Sequence, residues 1–160
     1  MKIYFSVDTV QENEPIEGLK KLMGFLHEEG HTLYRAPYIL SKNPDLYLQK
    51  ELGLKRKPIS KEERALHMRW IDDSDLLLAD ISAPSEGRSI IIQRALDKPA
   101  MGLPYTPVML IRDKKVERRF GKIMSGIIHS NETVYYEYAN IKDVIGDWPT
   151  LLKKALKHQR

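Results

Sequence analysis

The sequence predicts an α/β fold, a single three-layer α/β/α domain over residues 1–160 with a five-stranded parallel sheet. Three observations predict it. Short β-rich apolar runs alternate with helical runs from end to end, which implies parallel strands joined by crossover helices. The central run "DLLLADI" (75–81) is apolar apart from one Asp, as suits a strand buried on both faces. A chain of 160 residues can also bury roughly 70% of its extended-state surface in one core.

The elements follow in order. "KIYFSV" (2–7) reads as the first strand. Asn13, Glu14 and Pro15 carry helix-start chemistry, and Ile16, Leu19, Leu22, Met23 and Leu26 recur at helical spacing until Gly30. "HTLYRA" (31–36) is the second strand. Asn43-Pro44 opens a short helix that carries Leu46, Leu48 and Leu52 and closes at Gly53. Ser60 with Glu63 makes a capping box for a helix over 61–73. The buried strand at 75–81 leads to a helix from Gly87 to Asp97. Three successive isoleucines there would also suit a strand, but a strand would break the alternation. "PVMLIRD" (107–113) is the fourth strand, followed by a helix at 115–125, a strand at "TVYYEYA" (133–139) and a helix over 141–158, bent near Gly146 or Pro149.

Composition narrows the function classes. With no cysteine there are no disulfides, thiolate nucleophiles or Cys-ligated zinc, and a reducing cytoplasm fits. The opening "MKIYFSVDTV" turns polar too soon for a signal peptide or membrane span, so a soluble, cytoplasmic protein is expected. The net charge of +4 concentrates in "RDKKVERRFGK" (112–122) and "KKALKHQR". A nucleic-acid surface needs aromatics among its basic groups, and only Phe120 is interleaved, so solvated helix faces are the simpler reading. The histidines show no ligand spacing, so no metal and no cofactor is expected.

In folds of this class ligands bind at the carboxyl ends of strands, where the strand order reverses. That gathers Ser6–Gln11, Ala36–Leu40, Ser82–Ser89 and the start of the 115–125 helix around one crevice. "SAPSEGRS" (82–89) is its most informative part. Pro84 fixes the turn, Gly87 lets the backbone approach a ligand, Ser85 and Ser89 offer hydroxyls, and Arg88 adds charge at a helix start that favours anions. The same residues also read as an ordinary strand-to-helix turn with Ser85 as N-cap. Asp80 and Asp8 each follow a strand at this end. Both could do acid–base or nucleophilic work, and both could simply bond their own loops.

The run "SDLLLADISAPSEGRSIIIQRA", with "KIYFSVD" at the start and "GKIMSGI" near Gly126, resembles the nucleoside 2-deoxyribosyltransferase superfamily, which includes the 2'-deoxynucleoside 5'-phosphate N-hydrolases. Asp75, Ala79, Pro84, Ser85, Gly87, Arg94 and Ala95 match the family pattern, and Asp80 is a conservative change. The resemblance implies a Rossmann/flavodoxin-like sheet, cleavage of an N-glycosidic bond in a nucleoside or nucleoside 5'-monophosphate, and a homodimer or larger assembly. It also implies a double displacement through a helix-borne glutamate. The departures fall on the chemistry. Ile91 stands at the nucleophile position, and His67 replaces the sugar-contacting aspartate. Ser89 replaces a phosphate-loop glycine, Gly121 a serine, and Arg35 an acidic residue. Glu86 and Asp80 are therefore the candidate catalytic carboxylates, and Asp8, His67, Ser85, Gly87, Arg88 and Ser89 the candidate ligand-binding set. A catalytically inactive nucleotide-binding protein is the alternative.

Overall fold

The computed structural model describes residues 1–7, 15–35, 39–117 and 119–157. Five parallel strands form one sheet in the order β2-β1-β3-β4-β5. They are β1 (Lys2–Ser6), β2 (Thr32–Tyr34), β3 (Leu76–Asp80), β4 (Val108–Asp113) and β5 (Thr133–Tyr138). The helices between them are α1 (Pro15–Glu28), α2 (Pro44–Leu52), α3 (Ser60–Asp72), α4 (Glu86–Asp97), α5 (Lys122–Ile128) and α6 (Ile141–Lys157), with a 3-10 turn at Pro99–Met101. The expected α/β/α architecture is therefore present.

Strand alternation sorts the core into two layers. On one face Ile3, Phe5, Leu76, Leu78, Met109 and Ile111 meet α1 and α6 through Leu22, Leu26, Val144 and Trp148. On the other, Tyr4, Leu77, Ala79 and Leu110 meet α2, α3, α4 and α5 through Leu48, Leu66, Trp70, Ile92 and Ile128. β3 is buried at every position, as its apolar run requires. The isoleucines of α4 resolve by helical period: Ile92 is fully buried and Ile91 nearly so, while Ile90 is 52% exposed.

Local chemistry sets the boundaries. The Asn43 side chain accepts from the Leu46 amide at 3.0 Å, and Pro44 occupies the first turn of α2. Gly53, at φ 65°, ends that helix in the left-handed conformation glycine favours. Two expectations need correction. The helix α3 begins at Ser60, so its cap is Ile59, and Glu62, not Glu63, reaches back to the Ile59 amide at 3.0 Å. The expected helix at 115–125 starts only at Lys122, because Asp113 forms a local turn first. Its carboxylate accepts from the Lys115 amide at 2.8 Å and its carbonyl from the Val116 amide at 3.2 Å. Arg112 then holds the Val116 carbonyl at 2.9 Å and lies over the Phe120 ring. The helix α6 runs through Pro149. No helix among the described residues is long and apolar enough to cross a membrane.

Candidate functional site

The order β2-β1-β3-β4-β5 reverses direction between β1 and β3, and a crevice opens there at the carboxyl ends of the strands. It is a cavity of about 400 Å³. Its floor is Tyr4, Ser6 and Val7 of β1 and the residue after it. One wall is the start of α4, with Ser85, Gly87, Arg88, Ile90 and Ile91; the other is α3, with Ser60, Glu63, Arg64, His67 and Met68. Arg35 closes the end beyond β2.

The α4 wall follows from the turn chemistry. Ser85 is the N-cap, and its Oγ accepts from the Arg88 amide at 3.3 Å. The amides of Glu86 and Gly87, ahead of it in the first turn, have no partner among the described residues. A Cβ at Gly87 would meet no atom within 4 Å, so packing does not demand glycine there, whereas a ligand lying against the backbone would. Arg88 is buried and donates through Nη1 to the Ala83 carbonyl at 2.6 Å, bracing the turn from behind while still lining the cavity. Ser89 turns away: its Oγ donates to the Ser85 carbonyl at 3.3 Å, and it lines a separate shallow groove toward α5.

Asp80 and Glu86, singled out from the sequence as catalytic carboxylates, are placed elsewhere. Asp80 lies on the face of β3 that carries Leu76 and Leu78, opposite the crevice. Its two oxygens accept from the Ser82 amide at 2.8 Å and the Tyr138 hydroxyl at 3.0 Å. Burial and that carboxylate push the Tyr138 phenol far above its usual range. Glu86 is exposed and does not line the cavity. Asp8 lies outside the described residues. Ile91 sits in the crevice wall, 6% exposed, where the resembled family carries its nucleophile.

On the α3 wall, His67 and Glu63 are one helical turn apart and share a face. The Tyr4 hydroxyl and His67 Nδ1 are 2.7 Å apart, and His67 Nε2 is 3.7 Å from Glu63 Oε1. Burial, with the Arg35 charge nearby, lowers the imidazole to about 4, so it is neutral at pH 7. Burial raises the Tyr4 phenol to about 12, so it keeps its proton, while the Arg35 charge opposes that shift. Arg35 has φ 70°, an unfavourable backbone conformation for a side chain with a Cβ, and it donates through Nη1 to the Val7 carbonyl at 3.2 Å. Such outliers concentrate where function over-determines the backbone. Tyr4 and Glu63 were not singled out for the site from the sequence. The signal for Glu63 was its i,i+4 spacing to His67, masked by its apparent role as a cap.

Taken together, Arg35, Arg64 and Arg88 line the cavity against one carboxylate among the described residues, Glu63. The arrangement suits an anionic ligand, with free amides at one wall and a Tyr–His–Glu series at the other. No group of three or more metal-ligating side chains comes together among the described residues. No protein-family model matches the sequence, and no curated protein matches it. Solved structures do. One is the CMP N-glycosidase BcmB of Clostridium botulinum, at 16% identity and a TM-score of 0.62, covering 94% of this chain and 99% of that one. At that identity the likeness is one of fold, and it extends over nearly the whole length of both chains.

Proposed function

We propose that the crevice between α3 and α4 binds a nucleoside 5'-monophosphate, and that the protein acts on the N-glycosidic bond of that nucleotide. The observation that carries this reading is the crevice itself. Three guanidinium groups and the unpaired first amides of α4 converge at the point where the strand order reverses. The phosphate rests on Glu86 and Gly87 amides, and the base and sugar extend toward α3. The fold shared with a CMP N-glycosidase supports a nucleotide over other anions of similar size. The double displacement implied by the resemblance is not the route, since Ile91 offers no nucleophile. Exposed Ile90 and Ile123 on the neighbouring groove support the homodimer that the resemblance implies.

A second reading, a nucleotide-binding protein without turnover, is favoured by the placement of Ile91, Asp80 and Glu86.

Calorimetry and thermal unfolding with CMP, other nucleoside 5'-monophosphates and cytidine test the binding. At a hundredfold excess over Kd, a monophosphate should raise Tm by roughly 5–10 °C, and cytidine by much less. Gly87→Ala should fold normally, because alanine suits a helix and finds open space, yet lose most of the monophosphate response. Equal response to CMP and cytidine, or full binding by Gly87→Ala, would overturn the reading.

A further inference from the structure

We propose that Glu63 is the catalytic base of a single-displacement hydrolysis in this crevice, with His67 and Tyr4 as its positioning residues. The inference rests on the nucleotide reading of the crevice and adds the group that does the chemistry.

The carboxylates of the α4 side are out of reach. Asp80 faces the other layer and is bonded there by Tyr138 and Ser82, and Glu86 points to solvent. Glu63 alone among the described residues brings a carboxylate into the cavity, from the wall facing the α4 amides. A nucleotide with its phosphate on those amides therefore presents its sugar toward the α3 wall.

The support behind Glu63 is built from two layers of the fold. Tyr4 comes from the middle of β1 and is 1% exposed; its hydroxyl reaches His67 Nδ1 at 2.7 Å. With the Tyr4 hydroxyl as donor in that bond, Nδ1 accepts and the ring hydrogen sits on Nε2. Nε2 lies 3.7 Å from Glu63 Oε1. The spacing is longer than a hydrogen bond. The neutral imidazole thus orients the carboxylate through its dipole and leaves its oxygens open to a water in the crevice. The ring is held edge-on to Trp70, centroids 5.2 Å apart, which fixes its plane.

The step balances with water as its only co-reactant. Glu63 takes one proton from water as the water oxygen bonds to the anomeric carbon. The carbon–nitrogen bond breaks, and its electron pair leaves with the nucleobase. The proton held by Glu63 returns through solvent to the departing base. The products are free base and sugar phosphate, with the anomeric configuration inverted and no glycosyl-protein intermediate.

The test incubates the full-length protein with a panel of nucleoside 5'-monophosphates, follows release of free base, and measures binding of the same compounds by calorimetry. The expected result is release by wild type, a loss of at least about 100-fold in kcat for Glu63→Gln with binding retained, and partial recovery in Glu63→Asp. Tyr4→Phe and His67→Gln should lower kcat about tenfold with little change in KM, and should displace the acid limb of the pH profile. Intact-mass spectra during turnover should show no covalent adduct. Binding by wild type without base release overturns the assignment of Glu63 while leaving the nucleotide crevice standing. Undiminished turnover in Glu63→Gln, or a glycosyl adduct, overturns the assignment equally. Absence of any monophosphate binding overturns the crevice reading and this inference together.

Discussion

At the scale of single residues, position along a strand decides what a carboxylate can do. Asp80 stands at the carboxyl end of β3, next to the crevice in sequence, yet period-two alternation sends its side chain to the α1 and α6 face with Leu76 and Leu78. Ala79, one residue earlier, faces the crevice layer instead. His67 shows the complementary case, a titratable group carried inside by its helix. Its folded-state imidazole titrates near 4, against about 6.5 when unfolded, so between those values the native state binds fewer protons than the unfolded one. Stability contributed by neutral His67 is therefore complete above about pH 6.5, falls as the pH drops toward 4, and changes no further below. Urea midpoints measured from pH 7 to pH 4 should decline for wild type, and His67→Gln should flatten part of that decline.

At the scale of elements, the two ends of α3 are held by groups from outside it. Arg56 pairs with Glu62 at 2.7 Å, and Glu62 also accepts from the Ile59 amide, which holds that carboxyl at about 2. Because Glu62 takes the capping role, Glu63 is free to face the crevice. At the other end, the buried Lys98 ammonium donates to the Asp72 carbonyl at 2.8 Å, the Ile71 carbonyl at 3.3 Å and Thr106 Oγ1 at 2.5 Å. A cation at the carboxyl end of a helix opposes the helix dipole and satisfies carbonyls that lack intrahelical donors. Lys98→Met keeps the volume and removes every one of those bonds. It should lower unfolding stability by about 2 kcal/mol, read from urea titration at pH 7.

For the whole molecule, the layer arrangement leaves an apolar edge beside the crevice. The groove between α4 and α5 carries Ile90, Ile123 and Met124, with Ile123 82% exposed. It adjoins the crevice through Ile90, which borders both. Isologous association through this edge would bury Ile123 in each copy. Sedimentation velocity should find a dimer for wild type and a shift toward monomer for Ile123→Lys, with Tm otherwise little changed because the side chain is already mostly exposed. A monomeric wild type at micromolar concentration would remove the dimer.

The fold was legible in the sequence because it rests on patterns that repeat over many residues. The apolar run at 75–81, the heptad-like spacing of Leu19, Leu22, Met23 and Leu26, and the turn residues Asn43-Pro44 and Gly53 each act locally, and all agree. The start of α4, with Ser85 as cap and Gly87 in its first turn, was legible for the same reason. The start of α5 was not, because the turn at Asp113 depends on how Arg112 and Phe120 pack after the chain leaves β4. Nor was the α3 wall of the crevice. Tyr4 and His67 are 63 residues apart, and only the laying of α3 across β1 brings them to 2.7 Å. The sequence by itself determined the order of strands and helices and the turn at the head of α4, since hydrophobic period and capping chemistry are local. Tertiary structure decided which carboxylate reaches the cavity, because facing is settled by strand parity, helix rotation and the packing of layers that no short stretch encodes.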